Sequence, residues 1–323
     1  MGQSEKNFIN FLKNIPIEKR AFTLVELLVV IAIVGLLSTI VLVSTSGLRE
    51  QAKITKTLTW AKSIDSLLGA DAVGIWNFDE ENMDTCLNGK DVCDISGWNN
   101  HGTAYGDVYH IDNTPSDQGR ALSFDGVDDY VTIDSAAILN VTHSITIGHW
   151  VWKPSYDENS GVKYEFSILK VRDYPEGLAR QPYSVYVRTY NNGATYFFGY
   201  ETVKNNVWYQ STTDSILKSE TWNYLVASYS SVDGGGDGYV RLYVNGELKR
   251  STSHAALGNL PINTSQLRIG GSGSMNGLID EVRIYDQALT ASQIQSQYYA
   301  GLNKLLVKGL MDETEYQEHL IKN

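Results

Sequence analysis

The chain has 323 residues, of which 42% are hydrophobic and 20% charged, and its formal net charge is −11 at pH 7. Residues 67–323 hold 18 Lys and Arg against 32 Asp and Glu, a balance of −14. An acidic surface without a basic run argues against nucleic-acid binding, because phosphate contacts need clustered Lys and Arg. It fits bound cations or uncharged sugars instead.

An apolar segment runs from Phe22 to Val43. As a helix rising about 1.5 Å per residue it is long enough to cross a hydrocarbon core of about 30 Å. A secretory signal peptide and a simple signal anchor are alternatives, although the run exceeds a usual signal-peptide core and no small-x-small cleavage site follows it cleanly. Neither explains Glu26, because an ionisable group inside an apolar span is costly and usually functional.

The sequence KRAFTLVELLVVIAI at residues 19–33 resembles the N-terminal signal of type IV pilins and type II secretion pseudopilins. The resemblance implies that a prepilin peptidase cuts between Ala21 and Phe22 and that the new amine is methylated. It also implies that Glu26 assists assembly by pairing with the amine of a neighbouring subunit. The implied partners are the peptidase, other pilin-like subunits and the inner membrane. Gly usually precedes the cut in this family, whereas this chain has Ala21.

The N-terminal region divides into three predicted segments. Residues 1–21 form a leader whose basic bias places the N terminus in the cytoplasm and the bulk of the chain outside. Residues 22–43 form the transmembrane and assembly helix. Residues 44–69 continue it as an amphipathic stalk, since apolar residues recur at intervals of three and four and no Pro interrupts them. The predicted protein is membrane-anchored with its head outside and, after assembly, lies in a filament or at the cell surface.

Beyond Gly69, short alternating or apolar runs are separated by Gly, Asp and Asn, which predicts an all-β antiparallel jelly-roll sandwich. Turns are predicted at Asp125-Gly126 and Asn245-Gly246. The predicted strands cover residues 121–124, 130–133, 144–152, 166–171, 184–188, 224–229, 239–244, 267–269 and 278–285.

Six segments in order resemble laminin G-like domains of the concanavalin A-like lectin/glucanase class. They are WNFDE at 76–80, DISGWNNHG at 94–102, GRALSFDG at 119–126, WNYLVA at 222–227, LYVNG at 242–246 and GLIDEVRIY at 277–285. Residues 70–300 are therefore identified as such a domain. The resemblance implies a two-sheet jelly roll that often holds structural calcium and often binds carbohydrate or protein.

Calcium takes oxygen ligands from carboxylates, amides and carbonyls, and the first and last strands lie together in that family. The predicted calcium ligands are therefore Asp94, Asn100 and Asp280, although Asp and Asn in Gly-rich segments are also ordinary turn residues. Cys86 and Cys93 are the only cysteines. In an exported chain they are predicted to form a local disulfide, with two unpaired thiols as the alternative.

Tyr, Phe and Trp are frequent between residues 164 and 209. Most of them are expected in the core or on sheet faces, because strands favour aromatic residues. Sugars stack on exposed aromatic rings beside polar groups. The predicted ligand-binding residues are Tyr186, Tyr190, Tyr196 and Trp208.

No catalytic residue is predicted. Glucanases of this fold class place two carboxylates on one strand with a spacing like E-x-D-x-x-E, and the sequence lacks that motif. The pairs Asp128-Asp129 and Asp280-Glu281 are adjacent and would point to opposite faces of a strand. The six His are scattered without metal-ligand spacing.

The sequence TASQ at residues 290–293 predicts a helix to about Ala300, and residues 301–323 are predicted to form a short helical hairpin. The favoured function is a pilin-like or pseudopilin subunit that presents a lectin-like adhesion domain to a glycan or surface-protein ligand. One alternative is a signal-anchored carbohydrate-binding protein that never assembles. A membrane-tethered glycan hydrolase is the less favoured alternative, because paired carboxylates are missing.

Overall fold

The chain divides into two units, Met1–Thr55 and Lys56–Asn323. The predicted site residues Ala21, Phe22 and Tyr190 lie outside the described residues, as does most of the predicted stalk. The computed structural model describes residues 23–36, 59, 63, 67–115, 119–155, 163–189, 196–214, 217–234, 237–272 and 275–307.

The first unit contains a helix, α1, at residues 24–36. The Thr23 hydroxyl oxygen accepts the backbone N–H of Glu26 at 3.2 Å, and the Glu26 carboxylate accepts the backbone N–H of Thr23 at 2.8 Å. This reciprocal pair is a capping box, which satisfies donors that the first helical turn leaves free. In the parts of the chain that the structure describes, no helix is both long and apolar enough to cross a membrane.

The described part of the second unit contains helical residues at 59, 63 and 67–69, fifteen strands, two short 3-10 helices (Ala137–Leu139 and Pro175–Gly177) and a helix, α2 (Ala291–Val307). The strands are β1 (Ala72–Trp76), β2 (Gly102–Tyr105), β3 (Tyr109–Ile111), β4 (Ala121–Asp125), β5 (Tyr130–Ile133), β6 (Ser144–Trp152), β7 (Tyr164–Lys170), β8 (Arg180–Thr189), β9 (Tyr196–Lys204), β10 (Val207–Thr212), β11 (Trp222–Gly234), β12 (Asp237–Val244), β13 (Glu247–His254), β14 (Leu267–Ile269) and β15 (Asn276–Tyr285).

The strands form two antiparallel sheets. In the eight-stranded sheet the order is β13-β12-β11-β6-β15-β4-β3, and β1 also pairs with β15. In the seven-stranded sheet the order is β10-β9-β8-β7-β14-β5-β2. Leu, Ile, Val and aromatic side chains from both sheets form one hydrophobic core. We name the core side of each sheet its inner face and the other side its outer face. The predicted jelly-roll sandwich is confirmed.

Two tight turns depend on backbone conformations that Asn and Gly tolerate. Asn245 and Gly246 join β12 to β13 with φ of 52° and 79°, and this turn was predicted from the sequence. Asn205 and Asn206 join β9 to β10 with φ of 51° and 67°. Positive φ at both central residues is the requirement of the type I′ hairpin turn.

Helix α2 begins with a second capping box. Thr290 Oγ1 accepts the backbone N–H of Gln293 at 3.3 Å, and the Gln293 amide oxygen accepts the backbone N–H of Thr290 at 2.8 Å. The helix then runs to Val307, beyond the end predicted near Ala300. The predicted boundary between domain and tail therefore falls inside a continuous helix.

Candidate ligand-binding site

The outer face of the seven-stranded sheet carries polar and aromatic side chains at alternate positions. The strand register pairs Gln210 with Glu201 and Glu201 with Ser184, so these three side chains form a row across β10, β9 and β8. Directly paired residues of an antiparallel sheet point to the same face. Their neighbours Tyr200 and Val185 point into the core. The row therefore lies on the outer face.

A polar cluster on this face is centred on Glu201. Its carboxylate accepts hydrogen bonds from the side-chain amides of Gln181 at 3.0 Å and Gln210 at 2.6 Å. Arg172 lies 3.5 Å from the same carboxylate and donates to the Gln181 amide oxygen at 3.1 Å. We name Glu201, Gln181, Gln210 and Arg172 the Glu201 cluster. The hydrogen bonds among these side chains hold them in fixed positions. Polar groups in fixed positions can orient a bound ligand.

Burial raises the pKa of Glu201 above its usual value, while the hydrogen bonds from Gln210 and Gln181 and the charge of Arg172 offset part of this rise. Glu201 is only 2% exposed. Gln210 is exposed and Arg172 is partly exposed. A ligand would therefore meet Gln210 and Arg172 directly, with Glu201 holding both from beneath.

Trp208 lies beside the Glu201 cluster at the surface. The guanidinium carbon of Arg172 is 4.0 Å from the centre of the Trp208 ring, and the residue is 50% exposed. Guanidinium groups stack favourably on aromatic faces, which holds this ring in place. An exposed and fixed ring beside hydrogen-bonding groups suits a sugar ring, which has an apolar face and a polar rim. The accessibility that glycan stacking requires is present at Trp208.

Tyr186 lies on the outer face, but neighbouring residues bury its side chain. The prediction that it is an exposed stacking residue is therefore wrong. The residue is 1% exposed, and its ring lies so close to Gly199 that an added Cβ would come within 2.2 Å of the ring. Its hydroxyl shares a hydrogen bond of 2.9 Å with the hydroxyl of Thr212. Burial raises the pKa of Tyr186 to about 12, so this hydroxyl stays protonated.

Tyr196 is a second correction. Alternation along β9 places it with Phe198 and Tyr200 on the inner face, where all three belong to the core. Its hydroxyl donates to the carbonyl of Pro154 at 2.9 Å. A core side chain cannot stack on a glycan.

Two more arginines lie over aromatic rings on the same outer face. The guanidinium carbon of Arg188 is 4.8 Å from the ring centre of Tyr164, and that of Arg268 is 4.4 Å from the ring centre of Tyr130. The Tyr130 ring also stacks on Tyr105, with ring centres 5.1 Å apart. The aromatic character of this face therefore extends from β10 to β2.

The predicted calcium ligands Asp94 and Asn100 lie together beside β1. The Asp94 carboxylate accepts the backbone N–H groups of Ile75 at 3.0 Å, Ser96 at 2.9 Å and Asn100 at 2.9 Å, and both of its oxygens are used. Asp280 is buried in β15 and accepts the N–H of the next residue. Backbone N–H groups thus satisfy the Asp94 charge by themselves. Calcium binding by these three residues stays a prediction.

A different acidic group, Asp125, Asp128 and Asp129, has carboxylate oxygens within 4.8 Å of one another. The carboxylate of Asp129 accepts the backbone N–H groups of Asp107 at 2.7 Å and Asp125 at 2.9 Å. Burial raises the pKa of Asp129, and these two hydrogen bonds oppose the rise. The group organises the turn between β4 and β5, and such acidic turns are common without an ion.

Cys86 and Cys93 form a disulfide, as predicted, with Cα atoms 5.3 Å apart. The backbone N–H of Cys93 donates to the Glu80 carboxylate at 2.7 Å, which fixes the same loop from its other side. Glu26 is exposed, and its hydrogen bonds are those of the α1 capping box. Its predicted part in assembly stays a prediction.

Sequence reasoning missed Glu201, Gln181, Gln210 and Arg172. One signal was available in residues 196–204, where Tyr196, Phe198 and Tyr200 alternate on one face and Glu201 falls on the opposite parity. That alternation places a carboxylate on the outer face of β9. It does not show which residues of other strands surround it.

Residues 125–295 match the family described as the concanavalin A-like lectin/glucanases superfamily. The chain belongs to this superfamily. Residues 18–42 match the prokaryotic N-terminal methylation motif, which agrees with the predicted type IV prepilin signal. No curated protein matches the chain.

Solved structures of similar fold include two binding domains. The botulinum neurotoxin serotype D binding domain is 14% identical with a TM-score of 0.52, and the match covers 71% of this chain and 51% of that one. The binding domain of Paraclostridial Mosquitocidal Protein 1 is 14% identical with a TM-score of 0.54, covering 72% and 52%. The chain thus spans about half the length of these two relatives.

A third similar structure is a single domain. Domain 4 of AbnA, a GH43 extracellular arabinanase from Geobacillus stearothermophilus, was solved in complex with arabinotriose. It is 19% identical with a TM-score of 0.50, and the match covers 71% of this chain and 98% of that domain. At such identities the three likenesses show the fold alone.

Proposed function

We propose that the chain is a pilin-like subunit whose head binds carbohydrate outside the membrane. The observation that carries this proposal is the joining of two features in one chain, the N-terminal methylation motif at residues 18–42 and the concanavalin A-like domain. The motif supports a prepilin peptidase and other pilin-like subunits as partners. It also supports a membrane-anchored N terminus.

Glu26 is the residue through which we propose that the subunit assembles. Its carboxylate is exposed, and within the described residues it accepts the hydrogen bonds of the capping box of its own helix. In a filament it would exchange the Thr23 donors for the amine of Phe22 on a neighbouring subunit. An ion pair is favoured there because an unpaired carboxylate in an apolar helix bundle is heavily penalised.

The ligand surface in this proposal is the outer face of the seven-stranded sheet, around Trp208 and the Glu201 cluster. Its half-exposed ring and fixed amide and guanidinium donors match the apolar face and hydroxyl rim of a sugar. The arabinotriose bound to the structurally similar AbnA domain supports carbohydrate as the ligand class.

We propose binding without hydrolysis. Glycosidases of the common type need two carboxyl groups, about 5 to 9.5 Å apart, one on each side of the scissile bond. Among the described strand positions of the outer face, Glu201 is the one carboxylate. It is buried and hydrogen-bonded to two amides, so it lacks both the partner and the access that such chemistry requires.

The first test concerns processing. The intact mass of the mature protein is expected to correspond to a chain that begins at Phe22 and carries one added methyl group.

A companion test concerns assembly. Glu26→Ala is expected to leave membrane insertion intact, because it makes the segment more apolar, and to reduce incorporation into filaments. An uncut chain in cells with active peptidase would favour the signal-anchored alternative, whereas normal incorporation of the variant would contradict the proposed pairing of Glu26.

The second test concerns binding. The full-length chain in detergent is expected to be retained on immobilised polysaccharide and to release no reducing sugar. Trp208→Ala is expected to abolish most retention, because it removes the stacking ring. Trp98→Ala is a matched control, since Trp98 is 54% exposed but lies on the loop beside β1. Equal loss in both variants would contradict the proposed face, and steady sugar release would revive the hydrolase alternative.

A further inference from the structure

The arginines of the outer face form a second feature of the proposed binding surface. Arg172, Arg188 and Arg268 each lie over an aromatic ring, at 4.0, 4.8 and 4.4 Å between guanidinium carbon and ring centre. We name these three residues the arginine row. Stacking keeps a guanidinium flat against its ring and leaves its edge for planar, bidentate hydrogen bonding to an anion.

The sign of charge on this face is opposite to that of the domain around it. Residues 67–323 carry a balance of −14. Among the described strand positions of the outer face, together with Arg172, the charged residues are three arginines and Glu201. Burial raises the pKa of Glu201, and Arg172 compensates its charge when it is ionised. The face therefore has a net positive charge within an acidic domain.

Arg268 is the member of the arginine row whose side chain has no polar partner among the described residues. It is partly exposed at the centre of β14, and its guanidinium lies over the ring of Tyr130. No carboxylate or carbonyl among those residues accepts a hydrogen bond from it, and its Nε–H is unpaired. A guanidinium held in place without an acceptor is suited to an acceptor supplied by a ligand.

The distance across the face indicates the size of that ligand. The register connects Arg268 to Leu169, then to Ser184, then to Glu201. Three steps between neighbouring strands amount to about 14 Å, at about 4.8 Å each. A small anion cannot contact Arg268 and the Glu201 cluster together, whereas an extended chain can.

We infer that the outer face binds an acidic polysaccharide, whose carboxylate or sulfate groups contact Arg268 and Arg188 while its hydroxyls contact the Glu201 cluster and Trp208. This inference rests on the proposed function, because it uses the same face. A single-stranded nucleic acid is the other polyanion that uses aromatic rings and arginines. It is disfavoured because the domain is acidic overall and because Arg188 and Arg268 cover the rings of Tyr164 and Tyr130, which prevents successive bases from stacking along the face.

The test uses the full-length chain in detergent and four probes: polygalacturonate, dextran sulfate, neutral arabinan and oligo-dT. We expect binding to an acidic polysaccharide that weakens as salt rises, because ionic contacts are screened. The polygalacturonate and dextran sulfate arms distinguish carboxylate from sulfate. Weak or no binding is expected for arabinan and oligo-dT.

Arg268→Ala is expected to weaken acidic polysaccharide binding about tenfold, since it removes a charge-assisted hydrogen bond. Arg268→Lys should restore part of that affinity. Arg241→Ala is the matched control, because Arg241 lies 5.7 Å over the Tyr239 ring on the eight-stranded sheet. The affinity of the Arg241→Ala variant for the acidic polysaccharide should equal that of the parent protein.

The outcomes separate the two proposals. Salt-independent binding of arabinan that is lost in Trp208→Ala but unchanged in Arg268→Ala would overturn the acidic ligand and keep the carbohydrate-binding function. Failure to bind any of the three polysaccharides would overturn both. Binding of oligo-dT in preference to every polysaccharide would replace the inferred ligand with a nucleic acid.

Discussion

The outer faces of the two sheets differ in what covers them. On the eight-stranded sheet, the Trp150 ring lies 5.1 Å from Tyr224 and 5.8 Å from Tyr298 of α2, measured between ring centres. Gln297 of α2 accepts the Tyr224 hydroxyl at 2.9 Å and donates to the Tyr285 hydroxyl at 2.6 Å. A helix of the chain therefore buries these aromatic side chains and satisfies their hydroxyls.

On the seven-stranded sheet, no described helix packs over the outer face. Trp208 is half exposed there, and polar side chains satisfy one another within the sheet itself, as Gln181, Gln210 and Arg172 do around Glu201. Aromatic residues thus occur on both outer faces, but their hydrogen-bonding partners differ. An aromatic side chain on an outer face therefore suits a ligand where it is exposed among fixed polar groups, as at Trp208, and not where a helix covers it, as at Trp150.

The largest expected effect tests the covered face. Trp150→Ala should lower the free energy of unfolding by about 3 to 5 kcal/mol, because it removes a buried ring between β6, β11 and α2. Urea unfolding of the full-length chain measures it. Trp208→Ala is the control from the open face and should change stability by no more than about 0.5 kcal/mol. Similar losses in both variants would remove the distinction between the two faces.

The second prediction concerns a histidine on an inner face, where side chains are buried in the core and not exposed to solvent. His149 is fully buried between the sheets, and neither ring nitrogen has a hydrogen-bond partner among the described residues. Burial lowers the pKa of His149 to about 3. The unfolded chain takes up a proton near the ordinary pKa of about 6.5, whereas the folded chain does not. Stability is therefore lost as pH falls below about 6.5, and the loss continues down to the folded pKa.

His149→Met is expected to remove this loss, which is about 2 kcal/mol at pH 5. The measurement is the difference in unfolding free energy between pH 7 and pH 5, so that any packing effect common to both pH values cancels. His143→Phe is the control, because His143 is exposed. A pH dependence unchanged in His149→Met would show that this imidazole is not the group that titrates.

Sequence patterns predicted the interior strands best. The prediction for residues 144–152 coincides with β6, because inward Ile and Val alternate with outward residues in the middle of a sheet. The strand β13 (Glu247–His254) was missed because it is a polar edge strand with mostly exposed residues. The strand β9 was missed because aromatic residues lie on both of its faces and Gly199 interrupts the pattern.

The candidate site was predicted only in part. Trp208 was predicted as a ligand-binding residue because an aromatic side chain suggests sugar stacking even when its neighbours in space are unknown. Glu201 and Arg172 are 29 positions apart in sequence, and three antiparallel strands and an irregular pairing after Gln181 bring them together. Periodicity reports the face of one strand and carries no information on register between strands. The cluster therefore needed the structure.

The smallest expected effect tests whether the open face is fixed by its own hydrogen bonds. Gln210→Ala removes the amide that donates to Glu201 at 2.6 Å. That bond favours the ionised carboxylate and lowers its pKa, against the rise that burial causes. At pH 7 the variant should lose about 1 kcal/mol of unfolding free energy, the usual net value of one hydrogen bond. Below the folded pKa of Glu201 the loss should shrink, because a protonated carboxyl needs the amide less. Unfolding at pH 7 and pH 4 measures both values.

The control is Gln287→Ala, which removes an exposed contact to Asp71 and should leave stability within about 0.5 kcal/mol. If Gln210→Ala had no effect at either pH, the Glu201 cluster would be a loose surface group, and the open face would lack the fixed polar groups that separate a ligand surface from an uncovered sheet.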